Sequence, residues 1–194
     1  MEWVYFNIKF FHPMIQKTYI LDTNVYGELL IEKDSSEIIR RIDRDKSLFI
    51  YGVDVIEHEL HDVPSNKKIK GKIFRDVVLS TYKSLIDEEL ILSPIADYLA
   101  SEYFKKYVEL RKSSKYYKIV KDNELTYNEE DLKIDFDIIA VASLKGVDIV
   151  VSADKRTMLS KLATETYNIV NKINSLNTPK LIDYFEFRKR YKKW

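Results

Sequence analysis

Apolar and polar residues fall in blocks along this chain. Four short runs are rich in β-branched and aromatic residues: KTYILDT (Lys17 to Thr23), SLFIYGV (Ser47 to Val53), VDIVVSA (Val147 to Ala153) and PKLIDYF (Pro179 to Phe185). That composition predicts strands. Between them, apolar residues recur at helical spacing, which predicts helices over Asn24 to Asp43, Asp54 to Val63, Ile69 to Leu90 and Pro94 to Lys112. A further helix, opened by Asp135 or Asp137, runs through Lys145 and is closed by Gly146, and another covers Lys155 to Tyr167. Strands that are apolar on both faces and alternate with helices define a parallel sheet covered on both sides. The expected fold is α/β: a three-layer α/β/α sandwich with a central, mainly parallel sheet. An extended helical stretch, Lys67 to Glu130, separates the second and third of these strands.

In sheets of this kind the functional crevice lies beyond the carboxyl ends of the strands, and here those ends carry acids. The first strand delivers Asp22 and the third delivers Asp154. An acid at a strand-to-helix turn can serve as an N-cap, but two at the carboxyl rim of the sheet suggest chemistry. The helix containing DFDIIAVASLKG is apolar almost all round, so it is expected to be buried. Asp135 and Asp137 lie two residues apart, about 200° around a helix, and cannot face the same way within it. Asp135 suits the cap and Asp137 a first-turn position aimed at the rim.

The stretch VIEHELHDVP (Val55 to Pro64) resembles a zinc helix at first sight. However, His58 and His61 are three residues apart, whereas a metalloprotease helix spaces its histidines by four. Phasing at about 100° per residue centres Val55, Ile56, Leu60 and Val63 on one face. Glu59 falls at the edge of that face, Glu57 lies farther round, and both histidines point to water. The third histidine, His12, is distant in the sequence.

Composition narrows the chemistry. The 194 residues are 45% hydrophobic and 32% charged, enough for a single domain. No segment matches a signal peptide or the roughly 20 apolar residues of a membrane span, so a cytoplasmic protein is expected. With no cysteine, thiolate metal sites and cysteine nucleophiles are excluded. Crowded carboxylates with no histidine or cysteine partner suit a hard divalent cation, Mg²⁺ or Mn²⁺. Such an ion supports hydrolysis of a phosphodiester. Net charge is only +1, but basic residues cluster at Lys67 to Lys72, at Lys105 to Lys118 and in the tail from residue 188 to 194.

YILDTNVYGELL, VIEHEL, DFDIIAVAS and VVSADK, in this order, resemble the PIN-domain nucleases, including the VapC-type ribonuclease toxins. The resemblance spans about Met14 to Phe187. It implies that Asp22, Glu59, Asp137 and Asp154 bind Mg²⁺ or Mn²⁺ and catalyse cleavage of single-stranded or structured RNA by water. Asn24 and Ser152 occupy the family's polar positions beside the first and last acids, where a hydrogen bond orients a ligand. Asp135 is grouped with these supporting residues.

The same resemblance brings an antitoxin partner and a homodimer as expectations. The chain departs from the compact toxins in its long middle stretch and in an apolar extension over residues 1–13. Tyr103, Tyr107, Tyr116 and Tyr117 alternate with basic residues and suit RNA stacking; they suit a half-buried amphipathic helix equally well. The alternative function is a PIN-like RNA-binding or scaffold module with little turnover. A phosphatase of the haloacid dehalogenase type would need a second Asp where this chain has Asn24.

Overall fold

The computed structural model of the protein describes residues 16–113 and 129–192. The N-terminal extension, Tyr116 and Tyr117 lie outside them. The elements run β1 (Lys17–Leu21), α1 (Thr23–Ile31), α2 (Ser35–Asp43), β2 (Leu48–Val53), α3 (Asp54–His61), β3 (Lys68–Ile69), β4 (Lys72–Ile73), α4 (Phe74–Leu85), β5 (Glu88–Leu90), α5 (Pro94–Arg111), α6 (Glu129–Lys145), β6 (Ile149–Ser152), α7 (Lys161–Ile173), β7 (Lys180–Asp183) and α8 (Tyr184–Arg188).

The five-stranded sheet has the order β5-β2-β1-β6-β7, and every pairing in it is parallel. Helices α1 to α4 pack on one another and α5 to α7 form a second group, giving the three-layer α/β/α sandwich. β1 sits at the centre because Tyr19, Ile20 and Leu21 are all buried, as a strand covered on both faces requires. From β1 the chain builds outward through β2 on one side and later through β6 on the other. The carboxyl end of β1 is therefore the switch point, where a crevice opens between diverging connections.

Three differences from the sequence reading have local causes. The helix expected over 24–43 is broken after Ile31, where Glu32 is extended (ψ 143°). Asp34, Ser35 and Ser36 follow, residue types whose side chains compete with helical backbone bonding. The stretch expected as a helix over 69–90 begins instead as a hairpin. Its turn residues Lys70 and Gly71 both have positive φ, 49° and 80°, as a two-residue turn of type I′ demands. The same stretch ends in β5, an edge strand in which Glu88 and Glu89 are exposed, so it carries no apolar signature. Finally, α6 begins at Glu129, well before either aspartate expected to open it.

Between α5, α6 and α7 lies an aromatic cluster in which Tyr167 packs edge-on against Tyr103 and Phe136, with ring centroids 5.3 and 5.8 Å away. Tyr103 and Tyr107 are buried here, which decides for these two in favour of the amphipathic-helix reading over stacking on RNA. A buried polar network accompanies the rings. The Tyr103 hydroxyl donates to Asn171 Oδ1. Asn171 Nδ2 donates to Ser143 Oγ at 2.9 Å and to Thr178 Oγ1 at 3.0 Å. Leaving any of these groups unpaired would cost about 1–3 kcal/mol.

The basic tail is docked as far as it is described. Arg190 Nη1 donates to the Tyr19 hydroxyl at 2.6 Å, and the buried Tyr191 donates through its hydroxyl to Asp45 at 2.9 Å. Among the described residues no helix is long and apolar enough to cross a membrane.

Candidate functional site

The site begins where β1 ends. Asp22 N donates to Val151 O at 2.9 Å, extending the β1–β6 ladder by one bond before the chain turns into α1. Asp22 caps that helix, with Oδ1 accepting from Thr23 N at 2.8 Å. Its other oxygen accepts from Ser152 Oγ at 2.7 Å and from Asn24 Nδ2. The carboxylate is thus both a helix cap and a fixed group in the crevice.

Ser152 and Asn24 join the two central strand ends. The Ser152 hydroxyl gives its proton to Asp22 and accepts Asp154 N at 2.9 Å. Asn24 Oδ1 accepts Ala153 N at 2.7 Å. Asp154 is clamped by its own turn: Arg156 N (2.7 Å) and Thr157 N (3.0 Å) donate to Oδ1, and the Thr157 hydroxyl donates to Oδ2 (2.7 Å). Glu59 comes from α3, and its Oε2 accepts from the Thr23 hydroxyl. Thr23 and Thr157 were not singled out from the sequence. For Thr157 the signal is its place three residues after Asp154, where a hydroxyl or amide returns to the Asp side chain; for Thr23 it is only adjacency to Asp22.

Of the two α6 aspartates it is Asp135, expected in a supporting place, whose carboxyl feels the charges of Asp22, Asp154 and Glu59, whereas the expected ligand Asp137 does not. Burial drives the Asp135 carboxyl well above its ordinary value, and the charges of Asp22, Asp154 and Glu59 push it further against a Thr157 hydrogen bond. Asp22 is raised to about 6, first by burial and then by Glu59 and Asp154, against its bonds from Ser152 and Thr23. Asp137 has different neighbours. It is also raised to about 6, by burial and by Asp97 and Asp54, with Lys133 opposing. The cause is the early start of α6. Both aspartates lie inside the helix about 200° apart, so only one can face the switch point.

The remaining polar residues of α3 point elsewhere. Glu57 pairs with Lys83 at 2.8 Å, and that ammonium holds its carboxyl below the ordinary value. His58 and His61 are exposed, as the helix phasing predicts, and His61 lies 3.7 Å from Glu57.

Carboxylate oxygens are the donor type a hard cation takes, and of the four acids Asp22 is 3% and Asp135 8% exposed. Asp135 Oδ2 is buried without a hydrogen-bond partner among the described residues. Charges gathered this closely are unfavourable unless a cation offsets them. Among the described residues no three acids or imidazoles lie close enough together to hold a metal ion as they stand; Asp22, Asp154 and Glu59 are instead held by hydrogen bonds from Ser152, Asn24, Thr23 and Thr157.

Asp137 provides a separate test of these electrostatics. A carboxyl whose folded pKa is raised stabilises the fold below its unfolded value and loses that contribution as pH rises through the folded value. For Asp137 the window runs from 3.8 to about 6. Asp137→Asn should therefore melt close to the parent near pH 4. By pH 7 it should melt about 2 to 8 °C higher, a gain of about one to two kcal/mol in a chain of this size. Melting curves of both proteins in EDTA from pH 4 to 8 measure this; a constant difference across the range would contradict the assignment.

Fold and site together define an α/β sandwich whose central strands present a buried acid, Asp22, and a half-buried one, Asp154, at a topological switch point. No family model matches the sequence, and no curated protein matches it. Among solved structures the chain is similar to one described as VapBC2 from Rickettsia felis bound to a DNA fragment from its promoter. The match covers 86% of this chain and 98% of that one, at 15% identity and a TM-score of 0.43.

Proposed function

We propose that the protein is a Mg²⁺- or Mn²⁺-dependent ribonuclease that hydrolyses phosphodiester bonds of single-stranded RNA. The observation that carries this reading is the concentration of like charge at the switch point. Asp22 and Asp135 are both forced toward their neutral forms by burial and by the acids around them, a cost that a bound cation would remove. Asp22, Glu59, Asp135 and Asp154 are the residues to hold it. A divalent cation there supplies charge for the phosphate and lowers the pKa of bound water.

The chain's own contribution is orientation. Ser152 and Asn24 fix Asp22, Thr157 and two backbone amides fix Asp154, and Thr23 turns Glu59 toward the crevice. Ligands held in this way bind metal more tightly, and losing one such outer hydrogen bond typically costs about 10- to 100-fold in affinity or activity. A homodimer and an antitoxin partner belong to the same proposal, on the sequence resemblance alone.

The test is cleavage of labelled single-stranded RNA and a matched duplex by the full chain, in Mn²⁺, in Mg²⁺ and in EDTA. The expected result is scission of the single strand in either metal and none in EDTA, with the duplex cut more slowly. Equal scission with and without metal, or none under any condition, would overturn the reading.

A further inference from the structure

With Tyr103 and Tyr107 buried, the rim needs another aromatic surface if it is to hold unpaired bases. Phe185 meets the requirement. It follows β7, whose Asp183 is in register with Ser152 of β6, so it stands at the same carboxyl edge of the sheet as the acids. It is 49% exposed, on a rim where Tyr184 and Phe187 beside it are buried.

Two cations flank the ring. Lys155 Nζ lies 5.6 Å from its centroid and the Arg188 guanidinium lies 4.8 Å away. Lys155 directly follows Asp154, so one residue step links this aromatic to the acid cluster. Its side chain is 67% exposed and its ammonium is steadied by Asp183 at 2.6 Å. Arg188 is anchored by Glu32, which fixes the guanidinium beside the ring. From Lys155 and Asp183 a groove of about 440 Å³ runs between α7 and the edge strand β7, lined also by Thr164, Asn168 and Thr178. Leu159, Pro179 and Leu181 complete its walls, so it offers the polynucleotide a mixed polar and apolar path away from the acids.

We propose that Phe185, flanked by Lys155, is the subsite on which one unpaired base of the RNA stacks next to the phosphate held at the acids. This rests on the ribonuclease reading and adds where the substrate lies. An aromatic face accepts any base, since every base has a π surface, and the adjacent ammonium meets the backbone. A base within a duplex is already stacked and is not available to the ring, so the subsite favours single strands.

The experiment measures binding rather than turnover. Labelled single-stranded RNA is titrated into full-length protein carrying Asp22→Asn, alone and combined with Phe185→Ala, Phe185→Leu or Phe185→Trp. Phe185→Ala and Phe185→Leu should each weaken binding by about 5- to 150-fold, the range one stacked base supplies; Phe185→Trp should stay within about twofold, since indole also stacks. Leu keeps apolar bulk without a π face, so it separates stacking from folding. Lys155→Ala should lower the salt dependence of binding by about 0.7 in slope, one phosphate's share on a single strand.

Equal affinity for all four proteins would overturn the subsite. If the parent cuts RNA while binding ignores position 185, the subsite falls and the ribonuclease stands. If the binding pattern holds but the parent cuts nothing in any metal, the ribonuclease falls and Phe185 remains a base-binding residue.

Discussion

Asp22→Asn is expected to lose at least about 10³-fold in Mn²⁺-dependent RNA cleavage while making the metal-free protein more stable. The first effect follows from removing a charge that would hold the cation. Metal-centred stabilisation of a phosphoryl transition state is worth several kcal/mol, and each 1.36 kcal/mol is tenfold in rate. The second effect follows from burial. Asp22 is raised to about 6, so at pH 7.5 the fold bears the cost of an ionised carboxylate among other acids. Asn keeps the size and the capping oxygen but not the charge.

The removed cost is at most about 3 kcal/mol, or several degrees in melting temperature for a chain of this length. Melting curves in EDTA and in Mn²⁺, alongside cleavage assays, test both halves. The parent should gain clearly more stability from Mn²⁺ than the variant, which keeps only three of the four charges for the metal to offset. Cleavage within tenfold of the parent would remove Asp22 from the chemistry, and a lower midpoint in EDTA would mean its hydrogen bonds outweigh its charge.

The second large effect separates two aspartates two residues apart. Asp135→Asn should lose cleavage by about 10²- to 10³-fold, as expected when a preorganised charge or donor is removed from an active site. Asp137→Asn should stay within about threefold of the parent, because its carboxyl faces Asp97, Asp54 and Lys133 instead of the switch point. Initial rates at saturating Mn²⁺ decide between them. The reverse pattern would mean that α6 is rotated by about half a turn from its orientation in the structure.

That pair of residues also marks where sequence reading stopped. Acids at the ends of β1 and β6 were legible because each closes a mainly apolar strand, and Glu59 was legible because the apolar residues of α3 fix its phase. The choice between Asp135 and Asp137 depended on where α6 begins. A helix apolar almost all round has no polar face to phase against, so both the start and the rotation of α6 were open. β5 was hidden for a related reason: a short edge strand carrying Glu88 and Glu89 has a charged surface and no periodic signature. The hairpin at residues 68–73 could have been recognised from Gly71 within the lysine run, since a two-residue turn with positive φ calls for glycine. The tyrosines of α5 were ambiguous because the same spacing serves a buried face and a binding face.

What sets the rotation of α6 lies far from the acids. Ser143, two turns along the helix from Asp135, is held by the Asn171 amide, which also takes the Tyr103 hydroxyl and reaches Thr178. In mechanical terms this buried amide is an index pin: turning α6 by one residue would pull Ser143 off it and leave polar atoms stranded in an aromatic core. The pin therefore chooses which of two nearby carboxylates is presented at the rim. Neutral-looking changes at Ser143 or Asn171 would act on the acid cluster without touching it.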